Sequence, residues 1–234
     1  MTSVNTVLTK PGSAPGDEYS RGYRIPLSGS SPMPPNSVLI TGVNGPLGAR
    51  LAAELVADPS IERVIGVDDT EPDDAVRGLM GRAEFRRIDI RNPAIVTVLN
   101  SGKVDTVVHV ALTSQPVVGV SRTVHKEKNV IGTMQLLAAC QQAPTVGNLV
   151  VKSGSGVYGP HQRAASVCTE EMVVPAAQLS GYARDAADVE GYVRGFARRH
   201  PDTSVSVFRF ANLIGPCLDT VMSRYFALPM LPTV

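Results

Sequence analysis

The sequence predicts an α/β fold, a doubly wound parallel sheet flanked by helices. Three observations predict it. From about Asn36 onward, short apolar runs of strand length alternate with longer stretches of helical character. The first run leads into a glycine-rich turn and a helix, VLITGVNGPLG at 38–48. The second run, Val64–Val67, ends in an acid, Asp68.

In the first unit, Val38, Leu39 and Ile40 form the strand 38–41, closed by Thr41. Gly42, Gly45 and Gly48 follow, and Leu47, Leu51 and Leu55, with Ala49, Ala52 and Ala53 between them, predict a helix over 46–57. Strand, tight turn and helix in this order place a pyrophosphate at a helix N-terminus. Gly42 permits the sharp turn, Gly45 lets backbone amides approach phosphate, and Gly48 lets helix and strand pack closely. A glycine loop without a ligand is the plainer alternative. Against it stands Asp68, 20 positions after Gly48, where a dinucleotide fold places an acid on the adenosine ribose. That acid repels a 2′-phosphate and so favours NAD over NADP. Asp69 follows at once, and Asp68, at the strand end, is the stronger of the two. Arg63 precedes this second strand and is no phosphate partner.

The remaining elements follow in order. Strand 63–67 leads to a loop and short helix in 72–81, then strand 84–88 ending at Asp89. A helix over 93–100 precedes strand 104–110. A long helix over 122–142 carries Val130, Met134, Leu136 and Leu137 on its apolar side. Strand 147–152, a Gly/Ser loop, helix 181–199, strand 204–210 and helix 218–226 complete the chain. In such a sheet, ligands bind at the carboxyl ends of the strands. Residues 1–35 are rich in Pro, Gly and Ser without an apolar period, and are read as a disordered tail. The domain reading is tail 1–35, dinucleotide-binding domain 36–216, and 217–234 as the start of a small substrate-binding segment. The end at PMLPTV, with no capping element after the last helix, reads as a chain from which most of that segment is missing.

Composition narrows the function. With a formal net charge of +1, nothing points to nucleic acid or an anionic membrane surface. There is no apolar run long enough for a membrane span and no charged-then-apolar leader. Cys140, Cys168 and Cys217 are scattered and odd in number, which fits reduced thiols of a cytoplasmic protein. His109, His125, His161 and His200 lack metal-ligand spacing, so no metal is expected.

Several motifs together identify a resemblance: TGVNGPLG at 41–48, Asp68, IDIRN at 88–92, VDTVVHVA at 104–111, NVIGT at 129–133, KSGSGVYGP at 152–160 and RFANLIGP at 209–216. The chain resembles the extended short-chain dehydrogenase/reductases, in their NAD-dependent epimerase/dehydratase group. It is most similar to an actinobacterial UDP-glucose 4-epimerase-like branch. The resemblance covers 36–234 and implies a Rossmann domain, NAD as cofactor and a nucleotide sugar as substrate. It implies that Gly42, Asn44, Gly45, Pro46, Leu47 and Gly48 surround the pyrophosphate. Asp68 and Asp69 would lie at the ribose, Asp89 and Ile90 at the adenine. Val110, Ala111 and Leu112 would run beside the nicotinamide ribose, with Asn129 bracing that strand and Ser153 and Tyr182 nearby. Thr113, Ser155 and Asn212 would face the substrate. It also implies a homodimer through the helices near 122–142 and 181–199. Plainer roles stand beside these: Asp89 as a loop acid capping the next turn, Asn129 as a helix-surface residue, His109 as a polar group satisfied inside the sheet, and Tyr182 as a packing aromatic.

The catalytic positions depart from the family pattern. There, a Tyr exchanges a proton while hydride moves, a Lys four positions later lowers the Tyr pKa and holds the ribose, and a Ser or Thr binds the reacting oxygen. An unassisted Tyr, at about 10, is a poor acid/base near neutrality. Here the Tyr is Tyr182, the Lys position is Ala186, and the Ser/Thr position is Gly154 between Ser153 and Ser155. No lysine follows Lys152. Arg184, two positions from Tyr182, belongs on another helix face. Two functions lead: an epimerase/dehydratase working through Tyr182 and Ser155, or an NAD-binding sensor or scaffold that has lost the chemistry; an ordinary reductase of a small carbonyl substrate ranks behind them, because it needs the same Tyr–Lys pair.

Overall fold

A computed structural model describes residues 35–116, 119–159, 168–170, 172, 174–215 and 220–228. The expected tail therefore lies outside the described residues but for its last position, as do His161, Cys217, Pro160 of the KSGSGVYGP motif and Pro216 of RFANLIGP.

Six parallel strands form one sheet in the order β3-β2-β1-β4-β5-β6. They are β1 (Ser37–Thr41), β2 (Arg63–Asp68), β3 (Glu84–Arg87), β4 (Thr106–His109), β5 (Asn148–Gly154) and β6 (Ser204–Phe210). The helices are α1 (Pro46–Ala57), α2 (Asp74–Met80), α3 (Ile95–Ser101), α4 (Arg122–Glu127), α5 (Thr133–Gln141), α6 (Gly181–Arg199) and α7 (Val221–Phe226). Strand order reverses between β1 and β4, where Thr41 lies opposite Val67 on one side and His109 on the other. That reversal opens a crevice at the carboxyl ends.

Alternation along the strands explains the two apolar layers. Leu39, Val67, Val107, Leu149, Val151 and Val205 turn to the side covered by α3, α5 and α6. Val38, Ile40 and Val64 turn to the side covered by α1 and α2. On α1 the fully buried residues are Gly48, Ala49 and Ala52, and the leucines are half-buried at the rim of the layer. Small residues let this helix lie close against the sheet.

The long helix differs from the expectation. It is interrupted between α4 and α5 by a π-helical turn, Lys128–Gly132, and ends at Gln141. The extra residue of the turn rotates the face that follows. Leu136 and Leu137 are buried as expected, Val130 is half-buried, but Met134 is 42% exposed. Helix 93–100 starts at Ile95, because Asn92 and Pro93 first make a turn that Asn92 Oδ1 holds through the Ala94 N–H. The last helix begins at Val221 behind a Thr220 cap.

Candidate cofactor and active site

The glycine turn begins where β1 ends. The Gly42 N–H donates to Val67 O at 3.0 Å, with φ at 73°, a conformation glycine adopts without strain. A Cβ on Gly42 would lie 2.7 Å from Ala111 Cα, and one on Gly48 only 2.3 Å from Gly42 O. The turn thus packs against the end of β4, and α1 packs against the turn, with no room for side chains. Gly45 precedes α1, where Pro46 occupies the first position and no side chain caps the first turn. A Cβ on Gly45 would meet one atom within 4 Å, Gly42 O at 3.4 Å. Among the described residues, therefore, no side chain caps the backbone donors of the helix N-terminus.

The two acids after β2 do different work. Asp68 accepts from the Asn44 N–H at 3.1 Å and the Asp69 N–H at 2.9 Å, so its carboxylate faces the glycine turn. Burial pushes its pKa above the usual carboxylate value. Asp69 turns instead to Lys128, 2.5 Å away on the π turn. Burial opposes its ionisation, but Lys128 prevails and the pKa falls. Asn44 donates its amide to Thr70 O at 2.7 Å, while its Oδ1 is buried without a partner. After β3, Asp89 caps its own turn through the Arg91 N–H at 2.9 Å and pairs with the Arg91 guanidinium at 2.6 Å, which holds its carboxyl below the usual range. The capping role is therefore real. Ile90 beside it is buried, and a Cβ on Gly132 would lie 2.6 Å from Ile90 Cδ1, so the π turn sits tight on this loop.

At the end of β4, His109 is fully enclosed. Its Nδ1 lies 2.7 Å from Thr41 Oγ1 and its Nε2 2.9 Å from Thr133 Oγ1. Thr133 spends its one proton on Asn129 O at 2.5 Å, so His109 Nε2 carries the ring proton and Nδ1 accepts from Thr41. Burial, with Lys152 nearby, lowers the His109 pKa to about 4. His109 is a neutral structural group, as the plainer reading expects. Beyond it come Val110, Ala111, Leu112 and Thr113. The Asn129 amide grips both backbone atoms of Thr113: Oδ1 accepts from its N–H at 2.8 Å and Nδ2 donates to its C=O at 2.9 Å. Asn129 is buried, not a helix-surface residue.

Tyr182 lies in the first turn of α6, at the centre of a polar cluster. Its Oη is 2.7 Å from His125 Nδ1, and the Arg122 guanidinium lies 4.5 Å from its ring centroid. Arg122 donates to Asp185 Oδ1 at 2.8 Å and to Gly181 O at 2.7 Å. Asp185 is buried and its other oxygen accepts from Asn129 Nδ2 at 3.2 Å. Asp185 and Asn129 thus link Arg122, which covers the phenol ring, to the segment after β4.

The other catalytic positions lie nearby in the fold. Ala186 is buried in the apolar layer beneath α6. Gly154 has an extended backbone, φ −131°, and a Cβ there would be 4.0 Å from both Phe210 O and Ser114 Cβ. Ser155 is exposed on the short helix Ser155–Tyr158. The Ser153 hydroxyl points the other way, donating to the buried Glu190 at 2.7 Å, where Arg209 also binds at 2.7 Å. Any cofactor contact from Ser153 falls to its backbone. Asn212 is exposed beyond β6. Lys152, two residues before Gly154, donates Nζ to Leu112 O at 3.0 Å, and burial lowers its pKa.

A family model for NAD dependent epimerases/dehydratases matches residues 38–228. The chain belongs to this family. An uncharacterised protein of Mycobacterium tuberculosis is 46% identical over 203 residues, which are 87% of this chain and 54% of the relative. A solved UDP-galactose 4-epimerase is 26% identical with a TM-score of 0.63, matching 81% of this chain and 61% of its own. The UDP-glucose-4-epimerase of Stenotrophomonas maltophila, solved with bound NAD and formylated UDP-arabinopyranose, has the same fold at a TM-score of 0.64 and 24% identity, over 81% of this chain and 60% of its own. The chain thus spans about half the length of the curated relative it matches.

NAD is the cofactor of the epimerase/dehydratase family, and the residues present fit it. The uncapped α1 terminus suits a pyrophosphate, and the unpartnered Asn44 Oδ1 beside Asp68 is an acceptor suited to a sugar hydroxyl. His125, Arg122, Asp185, Lys128 and Lys152 were not legible as site residues in the sequence. The elements that carry Arg122, His125 and Asp185 are rich in charge, so nothing marked these residues out. His125 and Arg122 stand 57 and 60 positions before Tyr182, so no spacing rule links them.

Proposed function

We propose that this chain is the cofactor-binding part of an NAD-dependent epimerase/dehydratase that acts on a nucleotide sugar, UDP-glucose 4-epimerase-like, with Tyr182 as acid/base. The observation that carries this reading is the position of Tyr182. Its phenol oxygen is held by His125, and its ring is covered by Arg122, which Asp185 and Asn129 tie to Thr113 in the segment that follows β4. NAD, when bound, supplies a hydride acceptor and donor at its nicotinamide.

The chain's own residues do the rest. Gly42, Asn44, Gly45, Pro46, Leu47 and Gly48 cradle the pyrophosphate. Asp68 takes the ribose hydroxyls, while Asp69 holds Lys128 against the rim. Asp89 and Ile90 border the adenine. Val110, Ala111, Leu112, Asn129 and the Ser153 backbone line the nicotinamide ribose. Thr113, Ser155 and Asn212 face the sugar nucleotide. Tyr182 removes the proton of the reacting sugar hydroxyl and returns it.

A second reading, an NAD-binding sensor or scaffold, is favoured by the burial of Ala186 in the apolar layer and the bare Gly154. We also propose a cytoplasmic homodimer through the α4–α5 and α6 surfaces, supported by the exposed Ile131, Met134 and Tyr192.

One experiment tests both readings. The small molecule released on denaturation is identified by mass spectrometry, and NAD and NADP are titrated into the stripped intact protein. NAD binding with little NADP is expected, and Asp68→Ala weakening NAD by about tenfold or more, the value of a charge-assisted hydrogen bond. UDP-sugars are then added and reduced nicotinamide is followed by absorbance. Its formation, absent in Tyr182→Phe, supports the enzyme; binding without it supports the sensor.

A further inference from the structure

We propose that His125 stands in for the family's missing helix lysine as the positioning residue and proton partner of Tyr182. The inference rests on the acid/base role proposed for Tyr182 above. It begins from a gap and what fills it. At position 186 the helix offers Ala, and the side chain is sealed in the apolar layer, so no cation reaches Tyr182 from its own helix at that site. The partners of the phenol come instead from α4. His125 Nδ1 lies 2.7 Å from Tyr182 Oη, the two rings tilted at 51° with centroids 5.7 Å apart. His125 is only 3% exposed, so this is no surface encounter. Arg122, one turn earlier on α4, covers the face of the same phenol at 4.5 Å.

The lysine's two tasks are thereby divided. Arg122 supplies fixed positive charge at the ring face, held in place by Asp185 and Gly181 O. His125 supplies a group that can take a proton. The groups facing the imidazole are Arg122 from its own helix, Lys128 from the π turn, and Tyr182 and Asp185 from α6. Burial, then the cations Arg122 and Lys128, hold its pKa below the ordinary histidine value, and Asp185 opposes them. At neutral pH the ring is therefore neutral and Nδ1 accepts the phenol's O–H.

The proton balance is simple. As the sugar hydroxyl's O–H bond breaks, its proton joins Tyr182 Oη. At the same time the phenol's O–H bond breaks and that proton joins His125 Nδ1. The imidazolium so formed is faced by the Asp185 carboxylate. Return of hydride to the sugar reverses both transfers.

The test reads the pair with and without chemistry. The His125 ring is titrated by NMR in the intact protein and in Tyr182→Phe, without substrate. Loss of the phenol's donated hydrogen bond to neutral Nδ1 is expected to raise the His125 midpoint; an unchanged midpoint overturns the pairing. In parallel, the rate of nicotinamide reduction by a UDP-sugar is measured against pH. The wild-type rate is expected to fall on the acid side as His125 protonates. His125→Gln keeps an acceptor but cannot take a proton, and is expected to slow the step by about 10²-fold and to abolish the acid limb. An acid limb that persists in His125→Gln overturns the relay. A wild-type protein that reduces no cofactor with any UDP-sugar overturns the functional reading instead. That failure is distinguishable, because the NMR shift is read without substrate and without turnover, and it remains readable if His125→Gln does not fold.

Discussion

His109 shows how much one buried side chain can impose on solution behaviour. It is neutral between Thr41 and Thr133, with a folded pKa of about 4 against an ordinary 6.5. The unfolded chain binds a proton at this site below 6.5 that the folded protein does not bind until about pH 4. Its contribution to stability is therefore complete above pH 6.5 and lost as pH falls through the window to about 4. The full shift corresponds to at most about 3 kcal/mol. Thermal unfolding followed from pH 7 to 4 should show this loss, and His109→Gln should flatten it while lowering stability at neutral pH. The glycines make an equally local prediction. Gly48→Ala brings a Cβ to 2.3 Å from Gly42 O, which only a shift of the turn can relieve. We expect a loss of about 1–3 kcal/mol in urea unfolding, together with weaker NAD binding. Gly154→Ser, with an extended backbone and 4.0 Å of clearance, should leave the urea midpoint unchanged.

At the scale of elements, the π turn between α4 and α5 is the organising feature. It brings Asn129 to Thr113, Gly132 against Ile90, Lys128 to Asp69 and the Thr133 hydroxyl between Asn129 O and His109. One helical irregularity therefore touches the segments that follow β2, β3 and β4. Such turns recur at functional sites, and here the reason is geometric. A regular helix would rotate one of these contacts away. Asn129→Ala takes the amide away from the half-buried Thr113 N–H and C=O and from one oxygen of the buried Asp185. We expect about 1–3 kcal/mol of destabilisation by denaturant unfolding, from three lost hydrogen bonds, one of them to a buried carboxylate. Hydrogen exchange at the Thr113 amide should accelerate in the same variant. Glu190 plays a comparable part on the other side of β5, where it joins Ser153, Arg194 and Arg209 and anchors α6 to β5 and β6.

For the whole molecule, the sheet is covered unevenly. Among the described residues, α3, α5 and α6 cover one side, whereas the cluster under α1 and α2 on the opposite side reaches from β2 and β1 to Val108 on β4 and includes no residue of β5 or β6. On β6, Phe208 is 42% exposed and pairs with Lys152 on β5. The long helix carries a separate apolar strip, with Ile131 and Met134 exposed at 51% and 42% and Tyr192 of α6 at 41%. The dimer proposed above predicts that light scattering on the intact protein gives twice the monomer mass. The pair Ile131→Glu and Met134→Glu should convert it to monomer without loss of NAD binding. A wild-type monomer removes the dimer from the proposal.

The sequence by itself determined the parallel α/β frame, the glycine turn, the acid at the end of β2 and the position of Tyr182. Each of these is written within one element: a period of two or of about four, a glycine where no Cβ fits, an acid where a strand stops. Helix α6 and strand β6 lie where the pattern predicts them, at 181–199 and 204–210. Only the tertiary structure decided that Asp68 faces the turn while Asp69 faces Lys128, that Met134 points outward, and that Tyr182 lies against His125 and Arg122. The physical reason is the same in each case. Charges choose partners by distance in space, and the crevice brings together residues that lie some sixty positions apart in the chain, so no local rule can pair them.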